Sequence, residues 1–134
     1  MSSDIQGSTG LSMIRRLAPL YLGIVVGPLN TSGAFNLIPI FSDDFAVSIA
    51  VASLSVTLYM VPFVATQVFS SVIAEIFGPA RALVIGFVIF SASSILAAVA
   101  PTLETFLLTR MLQGLGGGII LPVGMAMAAS QVPP

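Results

Sequence analysis

Between residues 17 and 129, charged side chains gather at the ends of four long apolar stretches, and only one, Arg110, stands inside a stretch. The stretches are 17–41, 46–74, 80–100 and 103–129, parted by Ser42-Asp43-Asp44, by Glu75 to Pro79, and by Pro101-Thr102. The hydrocarbon core of a bilayer takes about 20 apolar residues of helix, and each stretch supplies that. A lone chain in lipid must satisfy its backbone groups internally. The runs are continuous rather than alternating, so they read as helices. A soluble domain carries about 25% charged residues, whereas this chain has 7% charged against 57% hydrophobic. The fold class expected is all-α integral membrane, with a tail over residues 1–16 and four transmembrane helices over 17–134. No length remains for a soluble domain.

The tail ends in Arg15-Arg16, directly before apolar residues, as a signal peptide would. A signal peptide has only about 7–15 apolar residues before its cleavage site. The run here is long enough to span, so a retained helix is expected. Arg15, Arg16 and Arg81 fall on one side of a four-helix hairpin, and Asp43, Asp44 and Glu104 on the other. Basic residues mark the cytoplasmic side. The reading is a multi-pass protein of the cell membrane with its N-terminus in the cytoplasm.

Several chemistries drop out. Histidine and cysteine are absent, which removes disulfides, thiol nucleophiles and the commonest metal ligand. A net charge of −1 leaves no basic footprint for nucleic acid. The run Gly114-Leu115-Gly116-Gly117-Gly118 has no lysine and follows no strand, as a phosphate loop would require. No catalytic constellation, metal site or cofactor is expected, and an enzyme is not the reading.

Arg110 is the sharpest signal. A charge at mid-membrane costs about 2.5–3.5 kcal/mol on insertion scales, and a guanidinium cannot shed its proton. It sits about seven residues into the fourth stretch, roughly 10 Å deep. It must either snorkel or face a bundle interior. At 100° per residue, Arg110, Gln113, Gly114, Gly117 and Leu121 share one stripe, and Ala52, Ser55, Tyr59, Pro62, Thr66 and Ser70 form another. In the first stretch Asn30 shares a face with Gly23, Gly27 and Gly33. Asn30 and Arg110 differ in depth by about 6 Å, which makes Asn30 the expected partner. Small residues let membrane helices approach closely, so Gly114, Gly116, Gly117 and Gly118 are expected to serve packing. Glu75 and Arg81 flank the Gly78-Pro79 reversal and are expected to face each other. Asp43 or Asp44 is expected to cap the second helix.

Three landmarks resemble the major facilitator superfamily, closest to its drug/proton antiporter branches. The helix 4 motif R-x-x-Q-G-x-G is matched by Arg110, Gln113, Gly114 and Gly116. The turn motif G-x-x-x-D-R-x-G-R-[KR] is echoed with Ser71 for the first glycine, Glu75 for the aspartate, Gly78 for the second glycine and Arg81 in the trailing basic cluster. The helix 1 motif L-D-x-T…L-P is echoed by Leu29-Asn30 and Ile38-Pro39. Two departures stand out: Asn30 replaces the helix 1 carboxylate, and Ile76, Pro79 and Ala80 replace basic positions of the turn.

The resemblance implies part of an N-terminal six-helix bundle. It implies transport or coupling roles for Arg110, Gln113 and Asn30, and a cytoplasmic gate built on Ser71, Glu75, Gly78 and Arg81. The implied partners are the bilayer, a small-molecule substrate, protons, and further transporter helices or another copy of the chain. The implied function is secondary active transport, as an efflux permease of drug/proton antiporter type represented by its first four helices. The competing reading is a complete four-helix protein, acting as a homo-oligomeric small transporter or a structural subunit. The small multidrug resistance transporters have that size, but they rely on a glutamate in helix 1, and here no acidic residue stands in the first stretch.

Overall fold

The computed structural model describes residues 32–130, together with Ala18, Val25 and Leu29. The described part of α1 is helical over 32–44. It is followed by the single turn α2 (Ile49–Ala52) and the long helices α3 (Leu54–Phe77), α4 (Pro79–Ala98) and α5 (Leu103–Ser130). Among the described residues three segments are long and apolar enough to cross a membrane: Ile49–Phe77, Pro79–Ala98 and Leu103–Ser130. Twelve of the 25 residues of the first expected span, Asn30 among them, lie outside the described residues.

The ends of the elements follow from local chemistry. α1 runs to Asp44, three residues beyond the expected end, because Phe45 N–H still reaches Phe41 O at 3.1 Å and Val47 N–H reaches Ser42 O at 3.0 Å. Ala46 then takes a left-handed φ of 50°, a conformation that breaks a helix. The second span therefore begins at Ile49 rather than at 46. Its cap is Ser48, whose hydroxyl accepts from Val51 N–H at 3.3 Å. The expected capping role of Asp43 or Asp44 is thus corrected: both lie in the last turn of α1, exposed. At Ser53 the helix falters for one residue, bridged by Ser53 Oγ donating to Ile49 O at 2.7 Å.

Gly78 ends α3 and starts α4 with φ 84° and ψ 145°, backbone angles that only glycine adopts without strain. Pro79 takes the first helical position, where a missing N–H costs nothing. The last turnaround uses Thr102, whose hydroxyl accepts from Thr105 N–H at 3.3 Å at the start of α5. Glu104 occupies the first turn of α5, where the helix dipole favours a carboxylate.

Packing is organised around α5, which lies along both α3 and α4 while those two barely meet. Glycine makes this possible. A Cβ on Gly118 would come within 2.5 Å of Phe63 O, and one on Gly116 within 2.7 Å of Gly86 O and Phe90 N. A Cβ on Gly114 would collide with Tyr59 O and stand 2.9 Å from Pro62 Cγ. Gly114 and Gly118 thus seat α3, and Gly116 seats α4 against Gly86. The opposite surfaces carry exposed Val61, Val64, Val68 and Val72 on α3 and Val84, Val88 and Ile95 on α4. In water so large an apolar surface would be a liability; in lipid it faces its own kind.

Candidate functional site: a buried arginine beside an aromatic cavity

Ser55 and Tyr59 of α3, Ser94 of α4 and Arg110 and Gln113 of α5 meet where the three helices come together, in the third of the bundle nearest Asp44 and Glu104. Arg110 is 5% exposed. Its position one turn before the glycine run turns its side chain toward the start of α3 rather than toward lipid. Nε donates to Ser55 O at 3.3 Å, and Nη1 donates to Gln113 Oε1 at 2.5 Å. The guanidinium carbon stands 4.9 Å from the centre of the Tyr59 ring, a cation–π distance that strengthens once water is excluded. Tyr59 is itself stacked on Phe63, ring centres 5.5 Å apart, with its hydroxyl close over Gly117. Snorkelling is therefore not the solution the chain adopts. The charge turns inward and is met by a carbonyl, an amide oxygen and a ring face.

Gln113 carries the set across to α4. Its Nε2 donates to Ser94 Oγ at 2.9 Å, and Ser94 Oγ donates to Phe90 O at 2.7 Å. Beside Arg110 opens a cavity of about 650 Å³, lined by Gly33, Leu37 and Phe41 of α1, Ser94 and Ala97 of α4, and Phe106. Aromatic rings gather along it: Phe106 lies 4.7 Å from Phe41 and 5.5 Å from Phe45 between ring centres. Asp44 also lines the cavity. The result is a recess with an apolar, aromatic wall and one fixed cation, dimensions suited to a small organic molecule.

The turn residues lie elsewhere. Ser71, Glu75 and Arg81 are exposed and Gly78 is half-buried. Gly78 is 16 residues along α4 from Ser94, about 24 Å, so the two groups occupy opposite ends of the bundle. The expected Glu75–Arg81 contact does not form; among the described residues neither makes an ion pair. Instead a smaller cavity of about 290 Å³ lies near this turn between Ser70, Ala74, Pro79, Pro122 and Met127.

A family model of the Major Facilitator Superfamily matches residues 20–134. The chain belongs to the Major Facilitator Superfamily. Among curated relatives, it is 36% identical over 92 residues to a lincomycin resistance protein of Streptomyces lincolnensis, covering 69% of this chain and 19% of that one. It is 32% identical over 94 residues to a multidrug resistance protein B homolog of Mycobacterium tuberculosis, covering 70% and 17%. It is 26% identical over 112 residues to the riboflavin transporter RibZ of Clostridioides difficile, covering 84% and 25%. The chain thus spans a quarter or less of the length of these relatives. No solved structure matches it significantly. The chain is thus an all-α membrane segment of a superfamily of transporters, and it holds Arg110 buried within its packed helices.

Three contributors to the Arg110 set lie beyond what the sequence pattern singles out. Ser94 is one of three serines within a four-residue stretch of α4 (Ser91, Ser93 and Ser94), and hydroxyls in an apolar membrane helix are a usable signal for a helix–helix bond. Tyr59 falls on the buried stripe, but nothing in the spacing marks its ring as a platform for the cation. The Ser55 carbonyl is invisible in sequence, since every residue has one.

Proposed function

We propose that the chain forms the first helices of a secondary transporter that moves small amphipathic organic solutes out of the cell, of drug/proton antiporter type. The observation that carries this reading is the inward guanidinium of Arg110 at the wall of the aromatic cavity. The rings of Phe41, Phe45 and Phe106 bind the apolar body of a solute, and Arg110 orders water and the polar groups of the solute. Relatives named for lincomycin and multidrug resistance support export of such solutes. A charge buried in the membrane at a cost of a few kcal/mol marks a functional site, substrate pathways among them. Further helices complete the cavity, because alternating access needs one bundle to rock against another.

Protons are the proposed coupling ion. Asp44 is the only carboxylate lining the cavity among the described residues, and it stands at the exposed end of α1, so the proton carrier belongs to helices beyond these. The proposed placement is the cell membrane with the Gly78 turn and the N-terminus in the cytoplasm. Asp44, Glu104 and the cavity mouth then face outward. Glu75 and Arg81, exposed at the inner end, serve as a gate that meets the remaining helices.

The test uses inside-out membrane vesicles carrying the complete transporter that the gene encodes. With an imposed inside-acid pH gradient, ethidium, lincomycin or riboflavin should accumulate in the vesicles, and collapse of the gradient should release it. Equal uptake in vesicles with and without the protein, for all three probes, would refute the export reading. Uptake that persists after the gradient is collapsed would refute proton coupling alone.

A further inference from the structure

A glutamine amide can sit either way round, and the two orientations present opposite chemistry to its neighbours. Arginine has donors only, so the oxygen of Gln113 must face Arg110 for the contact to attract. That leaves the amide NH₂ of a side chain only 4% exposed in need of an acceptor. Ser94 Oγ supplies it at 2.9 Å. A hydroxyl has one proton to give, and Ser94 gives its proton back to Phe90 O in its own helix at 2.7 Å. Toward Gln113 it therefore offers only lone pairs. The bonds run one way: Arg110 to Gln113, Gln113 to Ser94, Ser94 to the Phe90 carbonyl. Such chains polarise one another and resist reversal.

We propose that Ser94 is a positioning residue of the transport site: as an obligate acceptor it locks the Gln113 amide, which in turn holds the Arg110 guanidinium against Ser55 O and the Tyr59 ring. The inference deepens the transport reading and rests on it for its functional consequence, while the lock itself rests on geometry alone. It also gives α4 a part in the site, through a residue that lines the same cavity as Arg110. Ser93 supplies an internal control. It is buried and bonds back to Ile89 O at 2.7 Å and Phe90 O at 3.0 Å, but does not reach Gln113.

Two readouts test the lock. The first is hydrogen-exchange protection of the Arg110 guanidinium, followed by nitrogen-15 arginine NMR on the purified complete transporter in lipid nanodiscs. The second is ethidium efflux by the complete transporter. Ser94→Ala should lower both by roughly tenfold, the consequence of one buried donor left unsatisfied. Ser94→Thr, which keeps the hydroxyl, and Ser93→Ala, which removes an uninvolved one, should stay within about twofold. In a Gln113→Met background Ser94→Ala should change neither readout, because the amide it positions is gone. Unaltered Arg110 protection in Ser94→Ala, or an equal loss in the Gln113→Met background, overturns the lock. Lost protection with full efflux overturns the positioning role. A transporter that moves ethidium in no form defeats the export reading for that solute, and the Arg110 protection still decides the lock.

Discussion

Replacing Gly118 by alanine perturbs the α3–α5 contact by one methyl group, and the structure sets the size of the effect. The new Cβ would lie 2.5 Å from Phe63 O and 2.8 Å from Thr66 Cβ, where ordinary contact begins at 3.4 Å. Both neighbours are held by α3, one as backbone, so neither can swing aside. The helices must part by about 0.9 Å along this stretch, or α5 must rotate and carry Gly114 and Gly117 off their seats. A gap of 0.5–1 Å forfeits a quarter to a half of the dispersion energy of the atoms that line it. Overpacking of this kind costs about 1–3 kcal/mol, and no hydrophobic effect between helices in lipid compensates for it. Gly33→Ala is the matched control, since nothing lies within 4 Å of the place its methyl group would take in a helical segment, and alanine gains about 1 kcal/mol in helix propensity there. Thermal unfolding of the purified chain in one detergent should show a midpoint lower by roughly 5 °C or more for Gly118→Ala. Gly33→Ala should match the parent or exceed it. Equal midpoints for the two variants would refute the argument that glycine is required for close approach of α3 and α5.

Gly78→Ala should destabilise by about 1–3 kcal/mol, since φ 84° with ψ 145° is closed to a side chain; a denaturation midpoint equal to the parent's would contradict this. Glu75→Gln removes a charge that makes no ion pair among the described residues, so expression should hold while ethidium efflux by the complete transporter falls. A matching fall in expression would point to folding instead. For orientation, single cysteines at Thr102 and Ala80, both exposed at opposite ends, can be treated with an impermeant thiol reagent in sealed cells. Only the cysteine at 102 should label, and labelling at 80 would reverse the assigned topology.

The parts of the fold legible in sequence are those that lipid dictates. Apolar length sets the spans, and Pro79 and Pro101 set two of the reversals to within two residues of α4 and α5. The stripe from Ala52 to Ser70 is buried at every position except Pro62, which is half-buried, because 100° spacing leaves small and polar residues on one face. The hairpin around Asp43 is less legible. A carboxylate beside an apolar run reads as a helix end or cap, yet the short-range bonds of Phe45 and Val47 carry α1 past it and leave capping to Ser48. The Arg110 set is half legible. Gln113 lies three residues away on the same helix and follows from helical geometry alone. Ser55 O, Tyr59 and Ser94 come from other helices, and only tertiary packing brings them there. The Glu75–Arg81 pair fails because both side chains are exposed, and wet charges gain too little from pairing to hold them together.

The central claim is that Arg110 serves transport from inside the bundle through a fixed fork of bonds. It is tested most directly by gradient-driven ethidium uptake with Arg110→Lys and Arg110→Ala in the complete transporter, normalised to protein in the membrane. Lysine keeps the charge but not the fork that joins Ser55 O to Gln113 Oε1. Uptake should fall to about a tenth or less in Arg110→Lys, the scale of a lost charge-assisted bond to a buried partner, and further in Arg110→Ala. Full uptake by both variants, at parent levels of membrane protein, would contradict the account.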